Sequence, residues 1–233
     1  TITVNPEPQI NDVAQTICND ETFTTVDPQD GTNGIVPVGT TYSWGVPVSN
    51  PAGAITGGVA GTDESSIVGT QLTNGTSSPA DLVYTVTPST AEGCVGEDFT
   101  ITITVNPEPQ IDPISQVICS DIGSFDITPV DGTNGIVPVG TTYTWTVDDA
   151  SNVITGEDAG TGSSISDSDL FNTTSSPADL VYTVTPSTAE GCVGEDFTIT
   201  ITVNPEPQIN DVAQTICNDE TFTTVDPQDG TNG

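Results

Sequence analysis

The sequence repeats itself at an interval of about a hundred residues, and that period limits the chain to a row of small domains. Val-Asn-Pro-Glu-Pro-Gln-Ile begins at Val4, at Val105 and at Val203, 101 and then 98 residues apart. Thr76–Ile111 recurs unchanged as Thr174–Ile209, and Thr1–Gly34 recurs unchanged as Thr200–Gly233. Asp30–Trp44 returns as Asp131–Trp145 with one change, Ser43 to Thr144. The third copy thus matches the first better than the second does, which implies an alternating array with a two-repeat unit. The boundaries read as 1–4, the end of a preceding repeat; 5–105 and 106–203, two complete repeats; and 204–233, the start of a third. The chain opens inside the strand-like run Thr1–Val4 and stops in the turn-rich Asp229–Gly233, so it is read as a stretch of a longer array.

Each repeat has room for one modest core, and its pattern is all-β. Phe99-Thr-Ile-Thr-Ile-Thr-Val105 alternates strictly. Phe99, Ile101, Ile103 and Val105 face one way and the threonines the other, the period of a half-buried strand. Leu82–Thr87 is a second strand. Gln9–Ile17, Thr22–Val26, Thr40–Val46, Ala54–Thr56 and Ser66–Leu72 supply the others. About seven short strands per hundred residues, separated by Gly, Pro, Asn and Asp, predict tandem immunoglobulin-like β-sandwiches in an elongated array. Trp44 and Trp145 fall where such folds place a core Trp on the third strand, with Tyr42 and Tyr143 beside them on the same face. They read as core residues; the other reading is an exposed aromatic stack for a glycan. Asn-Pro-Glu-Pro, at Asn5–Pro8, Asn106–Pro109 and Asn204–Pro207, reads as a short semi-rigid linker, because two prolines hold the backbone extended.

Charge then narrows the function. The chain has no Lys, Arg or His against 33 Asp and Glu, a net charge of −33. Such a surface repels nucleic-acid phosphates and anionic membranes, and no membrane-inserting segment is visible. Nucleophile–base chemistry that needs His or Lys is excluded within this stretch. No phosphate-binding loop is present. Paired carboxylates hydrolyse glycosides in other proteins, but here no pair is set apart by spacing. The chain is therefore expected not to be an enzyme.

Five cysteines remain: Cys18, Cys94, Cys119, Cys192 and Cys217. Each complete repeat holds two, which favours bonds Cys18–Cys94 and Cys119–Cys192, leaving Cys217 as the first cysteine of the third copy. A bond closing more than seventy residues stabilises by roughly 4 kcal/mol in the chain-entropy model, and disulfides imply export. Cys94 and Cys192 lie in the last hairpin, however, whereas Cys18 and Cys119 precede the second strand. Those points can lie at opposite ends of a standard sandwich, so bonding between repeats stays open. Without His or CxxC spacing the cysteines are not read as a metal site.

Calcium is the candidate cofactor. Asp27-Pro-Gln-Asp-Gly-Thr-Asn-Gly34 offers Asp27, Asp30 and Asn33 as oxygen ligands, and Asp131 and Asn134 are their counterparts in the second repeat. The competing reading is a plain turn, because Asp-Gly and Asn-Gly form turns unaided. Asp63–Glu64, Asp148–Asp149 and Glu157–Asp158 read as solvated acidic pairs on loops. Asn74-Gly-Thr76 and Asn172-Thr-Thr174 fit the N-glycosylation triplet.

Taken together, Ile17–Phe23, Asp30–Pro37, Thr41–Trp44, Val83–Pro88, Gly93–Cys94 and the ending Thr102–Pro107 resemble PKD-like repeats. Such repeats occur in very large cell-surface proteins of flavobacteria and their relatives, including gliding-motility adhesins of the SprB type. One departure is that Trp44 is followed by Gly45-Val46, and Trp145 by Thr146-Val147, where ordinary PKD domains carry Trp-Asp-Phe-Gly-Asp-Gly. The resemblance implies type 9 secretion, an extracellular place on the bacterial surface, and a role in adhesion or motility. The expected partners are neighbouring repeats, other copies in a filament, or a surface polysaccharide gripped by avidity. A spacer in a secreted polysaccharide-degrading enzyme is the remaining alternative.

Overall fold

A computed structural model describes residues 2–120 and 123–229. Of the turn expected at Asp229–Gly233, all but Asp229 lies outside the described residues. The first ten strands are β1 (Gln9–Ile10), β2 (Val13–Cys18), β3 (Gly34–Ile35), β4 (Thr41–Trp44), β5 (Val48–Asn50), β6 (Ile55–Thr56), β7 (Gly61–Glu64), β8 (Thr73–Asn74), β9 (Ala80–Ser89) and β10 (Phe99–Asn106). The next ten are β11 (Gln110–Ile111), β12 (Ile114–Cys119), β13 (Gly123–Ile127), β14 (Gly135–Ile136), β15 (Thr142–Asp148), β16 (Ile154–Thr155), β17 (Gly160–Gly162), β18 (Ile165–Asn172), β19 (Ala178–Ser187) and β20 (Phe197–Asn204). The chain forms two compact units. Unit one is Thr1–Gln110 with Gly135–Thr141 and Ser187–Gly194; unit two is Ile111–Asn134, Thr142–Pro186 and Glu195–Gly233.

In unit one the main sheet runs β2-β10-β9-β4-β7, with β5 also pairing with β9. β9 and β10 are antiparallel, whereas β2 lies parallel to β10 in a continuous register from Val13 opposite Ile101 to Cys18 opposite Asn106. The facing layer is lighter: β6 pairs with β8, and single bridges join Thr22 to Gln71 and Val26 to Ile67. Unit two repeats the plan with a main sheet β12-β20-β19-β15-β17 and a facing sheet β13-β18-β16.

The expected strands Thr22–Val26 and Ser66–Leu72 are thus not continuous in unit one, although β13 and β18 are their counterparts in unit two. Gly69 explains the interruption. A β-carbon there would run into the carbonyl of Phe23, so the two backbones approach more closely than a regular ladder allows. Gln9–Ile17 likewise divides into β1 and β2. Asp63 and Glu64, expected on a loop, belong to β7, and Asp148 ends β15.

The alternation of Phe99–Val105 is realised. Phe99, Ile101, Ile103 and Val105 are buried, and the intervening threonines are half-exposed. They pack with Leu82, Tyr84 and Val86 of β9, with Tyr42, and with Phe23, Ile67 and Leu72 of the facing layer. Edge-to-face or tilted aromatic pairs recur in both units: Tyr42 with Phe99, Phe23 with Tyr84, Tyr143 with Phe197 and Phe125 with Tyr182. Each adds about 1 kcal/mol beyond its buried area. Burial pushes the Tyr42 hydroxyl up to about 12, with the charge of Asp27 adding to the shift.

The tryptophans take the expected core side of the strand, to different depths. Tyr42 carries the core position, whereas Trp44 is only half-buried and Trp145 is buried. Each indole lies against a glycine of the neighbouring strand, Gly61 or Gly160, where a β-carbon would collide with the ring. The indole N–H of Trp44 donates to the Val59 carbonyl at 2.8 Å, and that of Trp145 to the Asp158 carbonyl at 3.2 Å.

With no basic side chain available, carboxylates are met by hydroxyls and amides instead. The Thr104 hydroxyl donates to Asp81 at 2.7 Å and the Thr202 hydroxyl to Asp179 at 2.6 Å. Thr87 and Thr185 do the same for Asp98 and Asp196 at 2.5 Å. These charge-assisted bonds replace the ion pairs an ordinary sandwich would use.

Candidate functional site

The most distinctive chemistry lies at the end of unit one where β2 and β10 finish side by side. Cys18 stands opposite Asn106. Cys94 lies in the turn that precedes β10, next to the Ser89–Val95 bridge. The eight residues of β10 place these two cysteines about 25 Å apart, whereas a disulfide needs α-carbons within about 7 Å. The expected bond Cys18–Cys94 is therefore ruled out by strand length. Cys18 is bonded instead to Cys192, 174 residues away in sequence, with α-carbons 5.6 Å apart. The expected Cys119–Cys192 bond is excluded with it. Cys94, Cys119 and Cys217 are free thiols. Cys192 reaches Cys18 because the turn Ser187–Gly194 is part of unit one.

This end is fixed by a buried amide network. The Asn74 side chain donates to the carbonyls of Val105 and Ser78 at 2.8 and 2.9 Å and accepts from the Thr76 amide and hydroxyl. Asn19, the residue after Cys18, accepts the Asn74 backbone amide at 2.6 Å. Both asparagines are 2 % exposed. In unit two, Asn172 bonds to Val203, Ser176 and Thr174 in the same way, and Ser120 takes the place of Asn19. The glycosylation triplets are therefore structural turns. A sugar on Nδ2 would displace two bonds to backbone carbonyls in a buried site.

The Asn106–Pro109 linker is packed against unit one. Asn106 is the last residue of β10, Pro107 and Pro109 are buried, and Glu108 is half-buried. Burial raises the Glu108 carboxyl above its usual range, and the charges of Asp20 and Glu21 push it further.

The calcium candidates are placed as follows. The Asp30 carboxylate accepts the Val36 amide at 3.0 Å, and the Asn33 carbonyl oxygen accepts the Gln29 amide at 2.8 Å. Asn134 accepts the Val130 amide at 2.9 Å. Asp27 and Asp131 are exposed. The Asp30, Asn33 and Asn134 oxygens close the turn on its own backbone. Among the described residues, no three Asp, Glu, Cys or His side chains converge as a metal cluster would. Asp149 closes a turn as well: burial works to raise its pKa, but amides of Ile154 and Ser151 and the Ser151 hydroxyl hold it below the usual range.

In the comparisons with known proteins, solved structures match the chain at low identity. Human CDH23 EC21-23 is 11 % identical, with a TM-score of 0.38, over 85 % of this chain and 69 % of that one. The D00-D0 domain of intimin is 13 % identical, with a TM-score of 0.33, over 83 % and 96 %. CfaE, the adhesive subunit of the CFA/I fimbria of enterotoxigenic Escherichia coli, is 10 % identical, with a TM-score of 0.32, over 87 % and 100 %. No curated protein sequence matches. The PKD-like domain family profile matches residues 15–109 and again residues 116–207. With most of its length matched, once per sandwich, the chain belongs to the PKD-like domain family.

Proposed function

We propose that the chain is a stretch of the stalk of a large secreted adhesin on a bacterial surface, of the kind that serves attachment or gliding motility. The observation that carries this reading is the bond between Cys18 and Cys192, which ties one sequence repeat to the next. Near-identical sandwiches in series multiply length, not chemistry. A covalent tie between successive repeats resists being pulled apart, which is what a stalk under tension requires. A disulfide also supports an oxidising space outside the cytoplasm, reached through type 9 secretion in this reading. Tyr42 and Tyr143 are each 2 % exposed and Trp145 is buried, so three of the four rings a glycan would stack on lie in the core, and in this reading polysaccharide contact falls to other parts of the protein. Electron microscopy of the full-length secreted protein tests the proposal. Thin beaded fibres with a repeat of several nanometres are expected, and compact globular particles would refute it.

A further inference from the structure

The Cys18–Cys192 bond is made of two parts, and each part recurs elsewhere in the chain with its cysteine unbonded. The first part is a cysteine ending the strand that runs parallel to the last strand of its own repeat. Cys18 stands opposite Asn106 in β2, and Cys119 stands opposite Asn204 in β12 by the same six-residue register. The following residue is anchored alike in both: Asn19 accepts the Asn74 amide, and Ser120 accepts the Asn172 amide. The second part is the turn that presents Cys192. Its amide donates to the Thr188 hydroxyl at 3.2 Å, and its carbonyl accepts the Thr188 amide at 2.9 Å. Cys94 is held by Thr90 at the same two distances.

We infer that Cys119 and Cys94 are the two halves of further inter-repeat disulfides. Cys119 bonds the Cys192-type cysteine of the following repeat, and Cys94 bonds the Cys18-type cysteine of the preceding one, so that a continuous series of staples runs along the array. The occupant of each half-site is a neighbouring copy of the same repeat. Cys119 is exposed and Cys94 partly so, both as thiols, whereas the bonded Cys192 is 1 % exposed. Formation needs an oxidant, a disulfide-bearing thiol oxidoreductase of the export pathway. The Cys119 thiolate attacks that disulfide, forming a mixed disulfide and releasing one enzyme thiol. The neighbouring repeat's thiolate then attacks the Cys119 sulfur and displaces the second enzyme thiol. Two protons leave the two cysteines, and their two electrons reside in the enzyme's dithiol. This inference concerns the covalent build of the array and holds whatever the array attaches to.

The test uses the full chain lengthened past Gly233 by the first repeat's Ile35–Asn106, which completes a third repeat with its own copy of Cys94. With Val95→Ile, Val193→Thr and Val212→Ile at exposed positions marking the otherwise identical cysteine peptides, the protein is produced in an oxidising compartment, blocked with a thiol label, cut by a Glu-specific protease without reduction, and mapped by mass spectrometry. The five native cysteines and the added one should leave two labelled thiols, at Cys94 and Cys217. Cys119 should be linked to the added cysteine, and Cys18 to Cys192. Cys119→Ser should expose the added cysteine to label while the Cys18–Cys192 link persists. Four labelled thiols with Cys119 free would overturn the inference. So would a link from Cys119 to Cys217, or Cys18 and Cys192 found unlinked.

Discussion

The Tyr182 hydroxyl donates to a carboxylate oxygen of Asp167 at 2.8 Å. Burial raises the Tyr182 pKa, and the Asp167 bond and charge raise it further. In the first repeat the place of Asp167 is taken by Gly69, and the corresponding Tyr84 hydroxyl has no hydrogen-bond partner. Thr70 is close enough to act on it, but its own hydroxyl is also unpaired, so the two do not meet in bonding geometry.

From this difference, Tyr182→Phe and Tyr84→Phe should part company. The first removes a bond to a charged acceptor and should cost about 1.5–3 kcal/mol. The second removes a hydroxyl that is buried unpaired and should be neutral or slightly stabilising. Urea denaturation of the two variants, followed by fluorescence, checks the sign of the difference. A larger loss for Tyr84→Phe would contradict the assignment.

Asn74 and Asn172 should behave as structural residues of equal weight. Each amide serves two backbone carbonyls, and Val105 and Val203 would lose the partners they have at 2.8 Å. Asn74→Ala and Asn172→Ala should each destabilise by about 2–4 kcal/mol, the cost of buried carbonyls left unpaired. Calorimetry of both variants should show matching losses, each in its own unit. A negligible loss in either would show that the turn holds without the amide.

Much of this was legible in the residues, and the failures have a common cause. Phe99–Val105 announced its strand because the period of two needs only local information. The strand at Ser66–Leu72 was misjudged in the first repeat because its β-favouring residues hide Gly69, whose effect depends on Phe23 across the sheet. Asp30 and Asn33 stood out by residue type, but that their oxygens accept the turn's own backbone amides shows only in the fold. The cysteine pairing required knowing that Val13–Cys18 runs parallel to Phe99–Asn106. A count of two cysteines per repeat says nothing about which end of a strand each occupies. The order Cys94 then Phe99 was visible, and it already placed Cys94 at the start of the last strand. The missing piece was the parallel partner that carries Cys18 to its far end.

Glu108 should make stability depend on pH in the direction opposite to a paired carboxylate. Its folded pKa is raised, by burial first and by Asp20 and Glu21 next. The folded state therefore holds the proton more tightly than the unfolded chain, and stability falls as pH rises through the unfolded and then the folded value. Glu108→Gln should stabilise the fold at neutral pH by up to about 1 kcal/mol, a gain kept small because solvent screens a carboxyl that is only partly buried. A higher urea midpoint reads it. The gain should vanish below about pH 4, where the unfolded carboxyl is itself protonated. Added salt should shrink the neutral-pH gain by screening Asp20 and Glu21. A gain that survives in acid would point to packing instead of charge.

Cys18→Ser and Cys94→Ser separate the observed pairing from the one expected by count. Cys18 is bonded and Cys94 is free. The bond closes a sequence separation of 174 residues, for which the chain-entropy model gives roughly 5 kcal/mol. Native bonds of this kind deliver about 2–5 kcal/mol when removed. Cys18→Ser should therefore lower the melting temperature of unit one by several degrees, and a reductant should reproduce the loss in the unaltered chain. Cys94→Ser should stay within about 0.5 kcal/mol of the parent, as a half-exposed thiol outside the core should. Differential scanning calorimetry with and without reductant checks both. Equal losses from the two variants would mean that Cys18 and Cys94 share a bond, and that strand length does not keep them apart.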